Sequence, residues 1–226
     1  MIGMEFAALT TAASSQINQE SAEALCAALS QKYKEAFVAA KIGHRFNTDS
    51  VTFYVYPENK ADLIFTAVME RDSGEVSDNY GEEKTNHCVE AQLAEAFQKE
   101  GITAASRCRM VSVSPDKEKD RSDFSDTPPI DHCTIYLLLE KTEAAASQII
   151  QVLEAMQKVL GVELLIAGYW LSLEAYTACC QMLKGCPEIS LAMIEEQEPA
   201  GHFRMTVQNG KSSLTAEELA YSGRRE

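Results

Sequence analysis

The chain contains no Gly-x-Gly-x-x-Gly, no phosphate loop, no Gly-x-Ser-x-Gly, no His-Glu-x-x-His and no Cys-x-x-Cys. These patterns respectively seat a dinucleotide, a nucleoside triphosphate, a serine nucleophile, a catalytic zinc and a paired-thiol site. No cofactor is therefore expected from motif evidence. Long apolar runs are missing too: nothing approaches the roughly 20 residues of a membrane-spanning helix. The opening MIGMEFAALTTAASSQ has no basic leader and only a short apolar run, which makes it a poor secretory signal. The expected compartment is the cytoplasm, although a leader preceding this sequence would be compatible with the same reading.

Basic residues are in the minority. Against 34 acidic residues there are 20 basic ones, for a net charge of −14. Such a surface repels phosphate backbones and anionic membranes, so neither nucleic acid nor membrane is expected as a partner. Solubility is the simple consequence of the charge. The sharper alternative is an acidic inhibitor that caps a basic nucleic-acid-binding protein. Histidine is scarce, with only His44, His87, His132 and His202. The seven cysteines are odd in number and scattered, and most fall at apolar positions of the pattern. There a free thiol acts as a small hydrophobe, which suits a reducing compartment better than a disulfide framework.

What the sequence does contain is organised around Val51 to Tyr80. Val51, Phe53 and Val55 alternate with Thr52, Tyr54 and Tyr56, the period of a half-buried strand. Pro57 to Lys60 turns the chain, and Leu63 to Glu70 resumes the alternation. Both faces carry apolar residues, so this pair is expected inside its sheet. Asp72-Ser73-Gly74 is a hairpin signal, followed by a brief strand over Glu75 to Ser77. A helix is predicted before the meander (Glu20 to Phe37, Asn18 as N-cap), then a strand over Val38 to Phe46, and after the meander a helix over Glu82 to Lys99. Arg107 to Ser114 reads as a further strand.

Beyond it, PDKEKDRSDFSDTPP crowds charges around a single apolar residue, Phe124, and reads as a solvated loop or linker. Then come a strand at His132 to Leu139, a helix capped by Thr142 and stopped by Gly161, and a strand at Val162 to Trp170. A helix capped by Ser172 follows, closed by Gly185 with Pro187. Ile189 to Glu195 and His202 to Gln208 are expected to form a hairpin, and Thr215 to Glu218 is a capping box for a short helix. Runs of strands flanked by helices give an α+β class, with mostly antiparallel sheets packed against helices in two similar-sized halves. The expected divisions are an α+β unit at 18–114, a linker or loop at 115–129, a second α+β unit at 130–210, and a polar tail with a short helix at 211–226.

Within residues 20–100, the Lys32-Tyr33-x-x-x-Phe37 ending of the first helix, the strand closing in acidic residues and Asp78-x-Tyr80 before the second helix resemble cystatin-like and PepSY-like domains. In those small α+β domains, found in bacterial proteins, one helix packs on an antiparallel meander. The resemblance implies a binding or inhibitory module and carries over no catalytic residue.

Candidate sites are few. His87-Cys88 and His132-Cys133 are poor zinc chelators, because neighbouring side chains diverge on a strand and sit about 100° apart on a helix. A thiol-dependent hydrolase would use Cys88 with a histidine, but Cys88 lies beyond the first helical turn, where thiolates gain most. Glu70, Asp72, Glu75 and Asp78 gather at one turn without the regular oxygen spacing of a calcium loop. Tyr54, Tyr56, Tyr80 and Trp170, with Tyr169, are the candidate partner-binding residues, since aromatic patches favour protein contacts. The leading expectation is a non-enzymatic module that binds a protein or peptide, or a second copy of itself, through a sheet face or edge.

Overall fold

The computed structural model describes residues 19–42, 49–112, 130–141, 146–185 and 191–223. Asn18, His44, the 115–129 stretch, Thr142, Cys186, Pro187 and the end of the tail lie outside the described residues. The chain forms two compact units, Met1–Glu83 and Lys84–Glu226, and is α+β throughout.

In the first unit, helix α1 (19–33) packs on a four-stranded antiparallel meander. Its strands are β1 (Phe37–Ile42), β2 (Ser50–Pro57), β3 (Phe65–Glu70) and β4 (Val76–Asp78), lying side by side in chain order. The alternation decides which residues go inward. Val51, Phe53 and Val55 on β2 join Phe65, Ala67 and Met69 on β3, and Leu25 and Leu29 of α1 close over them. Burying each such large side chain is worth about 1.5–3 kcal/mol. The strand pair β2–β3 does sit inside the sheet.

Helix α1 is shorter than its apolar spacing suggests. Lys34 adopts a left-handed conformation (φ 60°) and its N–H donates to Ser30 O, closing the helix. Phe37 thereby moves from the predicted helical stripe to the first residue of β1.

The second unit is built on a five-stranded sheet in the order β5-β6-β7-β8-β9. These strands are β5 (Ala104–Ser112), β6 (Ile130–Glu140), β7 (Glu163–Leu171), β8 (Gly201–Gln208) and β9 (Lys211–Ser212). All pairs are antiparallel except β6–β7. Parallel neighbours need a crossover, and α3 (Ala146–Leu160) supplies it. Helix α2 (Tyr80–Lys99) opens in the first unit, and its body joins the second through Val89, Leu93 and Phe97. With α3 and α6 (Ala216–Ser222) it covers one sheet face, burying Ile135, Leu137, Leu139, Ile166 and Phe203. Gly168 is required there, because a Cβ would stand 2.0 Å from the ring of Phe203. Helices α4 (Leu173–Gly185) and α5 (Leu191–Glu195) cover part of the opposite face, over Leu138, Tyr169 and Leu171.

Two sequence expectations are corrected here. The strand near Arg107 was assigned to the N-terminal unit, yet β5 pairs along its length with β6, from Ala104↔Leu139 to Ser112↔Ile130. Its apolar residues Cys108 and Met110 pack in the second core. The division between the two units falls between Glu83 and Lys84, so the 115–129 stretch belongs to the second. The second correction concerns Ile189 to Glu195, expected to pair with β8. Residues Leu191–Glu195 are helical, and β8 pairs instead with β7 and β9. The reversal after β8 is Asn209-Gly210, both left-handed (φ 53° and 69°), as a tight hairpin turn needs. The capping box forms as expected: Thr215 Oγ1 accepts from Glu218 N–H and Glu218 Oε2 from Thr215 N–H at 2.8 Å.

Candidate functional site

Strand parity sends residues 132, 134, 136 and 138 of β6 to the face opposite α3, with 165, 167 and 169 of β7 and 202, 204 and 206 of β8. The register stacks these into rows across the sheet. Arg107, Tyr136, Ala167 and Arg204 form one row; Arg109, Thr134, Leu165 and Thr206 form the next. On the other side lies the row of Leu138, Tyr169 and His202, whose first two members α4 and α5 cover. The uncovered part is a cavity of about 420 Å³. Thr134, Tyr136, Leu165, Ala167, Tyr169, Arg204, Thr206 and Ser213 line it, with Leu191 from α5.

Two arginines share the central row but are handled differently. Arg107 is bound on both sides: one terminal nitrogen meets Glu90 Oε2 at 2.9 Å, and the other donates to Leu183 O. Arg204 is exposed and has no ion pair or side-chain hydrogen bond among the described residues. Burial pushes the Tyr169 phenol up, the Glu195 carboxylate adds to this, and Arg204 partly opposes it. At neutral pH the phenol therefore keeps its proton and remains a donor.

The aromatic residues named from sequence divide. Tyr54 and Tyr56 are half-buried on the face of β2 that points away from the first core, opposite Thr66 and Val38. Tyr80 and Trp170, expected from sequence among the partner-binding residues, are buried in the first and second cores respectively. Tyr80 is buried, with its ring centroid 4.8 Å from Tyr33, 5.2 Å from Phe37 and 4.9 Å from Phe65, and its hydroxyl donates to Glu35. Trp170 packs on Phe203 in the second core, and its Nε1–H donates to Ser222 Oγ at 3.0 Å. Of the neighbouring aromatics Tyr169 and Trp170, parity gives the cavity only the first. Tyr136 and Arg204 were missed, although Tyr136 alternates with Ile135 and Leu137 in the sequence itself.

The residues behind the family resemblance also come together. Asp78 Oδ1 accepts from Tyr33 Oη at 2.7 Å and from Tyr80 N–H at 3.1 Å, while Oδ2 meets Lys32 Nζ at 2.9 Å. This clasp joins the end of α1 to the start of α2 within the first unit.

No protein-family model and no curated protein matches the chain. Among solved structures it is similar to a DUF5037 family protein from Ruminococcus gnavus. The TM-score is 0.64 over 89% of this chain and 98% of that one, at 14% identity. At that identity the likeness shows the shared α+β fold.

The remaining candidates stay apart. Cys88 is exposed on α2 and takes a contact from Gln92 Nε2 at 3.5 Å, and among the described residues no histidine hydrogen-bonds to it. His132 contacts Asp131 at 3.2 Å, and Cys133 points into the core. Among the described residues, no three His, Cys, Asp or Glu side chains are grouped to hold a metal ion. Their cysteines are free thiols, and none of their helices is long and apolar enough to cross a membrane.

Proposed function

We propose that this protein is a non-catalytic module that binds a polypeptide segment on the outer face of its second sheet. One observation carries the reading: the 420 Å³ cavity between Tyr136, Tyr169 and Arg204 is lined by phenols, hydroxyls, aliphatic groups and a guanidinium. A concave surface with an apolar floor and a few convergent polar groups is the usual form of a binding site. Among the described residues, its lining has no carboxylate, imidazole or thiol that would serve as general base or nucleophile. Tyrosine adds contact area at little entropic cost, which suits polypeptide recognition. The resemblance of residues 20–100 to cystatin-like and PepSY-like domains supports the same class of role.

The test is selection of a random peptide display library on the immobilised full chain. Enriched peptides are expected to lose binding to Tyr136→Ser and to keep it with Tyr54→Ser/Tyr56→Ser. Failure to enrich, or enrichment indifferent to Tyr136, would overturn the proposal. A second reading rests on the outer face of the first sheet, where Val38, Thr52, Tyr54, Tyr56, Thr66 and Val68 present half-buried side chains. That face would pair two copies of the chain. Light scattering would then show a dimer that Tyr54→Ser/Tyr56→Ser dissolves; a strict monomer discards this second reading.

A further inference from the structure

We infer that the group recognised in this cavity is a carboxylate on an acidic side chain of the bound polypeptide, received by Arg204 and flanked by an apolar neighbour of the peptide. The inference rests on the binding role proposed above and adds the chemistry that selects the ligand. The cavity has a surplus of donors. Arg204 offers a planar fork of N–H groups, and Tyr136, Tyr169, Thr134 and Thr206 offer hydroxyls, while no residue of the lining is anionic among the described residues. An ionised carboxylate only accepts hydrogen bonds, and the guanidinium fork matches it through two parallel bonds. Arg107, at the far end of the same row, shows what happens to an arginine of this sheet given a carboxylate: it is tied to Glu90. Arg204 has no such counterpart among the described residues.

Phosphate would fit less well. Phosphorylated side chains are met by clusters of arginines, and the lining holds one cation among the described residues. Glu195, which acts on Tyr169, stands on the α5 side of that row. The register leaves Thr134 and Thr206 on the other side of Arg204, where a single negative charge meets hydroxyls. Leu165 and Ala167 form a floor for an apolar side chain next to the acidic one. The net charge of −14 does not prevent this contact. At physiological salt, fields decay over about 8 Å, whereas a guanidinium–carboxylate pair acts at contact.

The experiment is a titration of the isotope-labelled full chain, followed by NMR, with three capped tetrapeptides: acetyl-Ala-Asp-Phe-Ala-amide and its Asn and phosphoserine analogues. The Asp peptide is expected to bind at least tenfold tighter than the Asn peptide and to shift amides of β6, β7 and β8. Arg204→Gln should erase that difference, and Arg109→Gln, outside the lining, should leave it intact. Equal affinity for the Asp and Asn peptides, with shifts that still depend on Tyr136, would overturn the carboxylate assignment and leave the binding role standing. A phosphoserine peptide that binds tenfold tighter than the Asp peptide would overturn it in favour of phosphate. If no peptide shifts any amide of the face, the inference and the binding role fall together.

Discussion

Asp78 shows how much one residue can organise. Its side chain is fully buried and accepts from Tyr33, Lys32 and the Tyr80 amide. Burial alone would push its carboxyl up, but these three donors outweigh that and hold it below the usual carboxylate range. Lys32 is first among the groups that lower it, but Lys32 is half exposed and solvent screens part of that contribution, so the tyrosine and amide bonds carry the rest. A carboxyl with a lowered folded-state value contributes its full stability above about pH 4, and loses it as pH falls through the depressed value. Asp78→Asn should therefore cost about 1–3 kcal/mol in urea unfolding at pH 7, from weakened charge-assisted bonds. The gap to the wild type should narrow as pH drops below about 4. A gap that stays constant across that window would show that the charge of Asp78 is not what stabilises the fold. At this scale the sequence was informative in parts. Lys32, Tyr33, Phe37, Asp78 and Tyr80 stood out as a pattern, and they do meet. Trp170 stands out as an aromatic residue, and aromatic character alone does not reveal which face of a strand a residue occupies.

Among the elements, β5 illustrates how an edge is managed. It ends its sheet and spans nine residues, long enough to recruit a foreign strand. Two of its outward amides are already occupied: Cys108 N–H donates to Glu90 Oε1 at 2.8 Å, and Met110 N–H donates to Asn86 Oδ1 at 2.9 Å. Both acceptors lie on α2, and Asn86 is only 1% exposed. Asn86→Ala should leave a buried donor unmet and cost about 1–3 kcal/mol in chemical denaturation. Glu95→Ala, which removes an exposed, solvent-screened ion pair with Lys99 on the same helix, should cost far less. Equal losses would mean that the Asn86 bond is incidental. Most elements were legible because their apolar residues repeat at two or at 3.6, as in β2, β6 and α3. The exceptions have physical reasons. The stretch before β8 has apolar residues compatible with either a short strand or a helix, and the hairpin signal lay further on, at Asn209-Gly210. The candidate cavity was not legible, because it arises from a row across β6, β7 and β8 that no local pattern encodes.

At the scale of the whole molecule, both sheets place their strands in chain order, yet they differ in how far the chain travels between partners. In the first sheet Phe53 pairs with Ala67 and Ala67 with Asp78. In the second, Cys108 pairs with Ile135, Ile135 with Ile166 and Ala167 with Arg204, each across a longer excursion. Closing a longer loop costs more entropy before any contact repays it, and distant pairings slow folding. After dilution from denaturant, pulsed hydrogen exchange should find the amides of β2 and β3 protected before those of β6 and β7. Simultaneous protection would show that the longer excursions do not limit the rate. The parallel β6–β7 pair must wait for α3 to cross over, so the face proposed to receive a polypeptide is expected among the last parts of the protein to come into being, and a freshly made chain is expected to lack it until the crossover is complete.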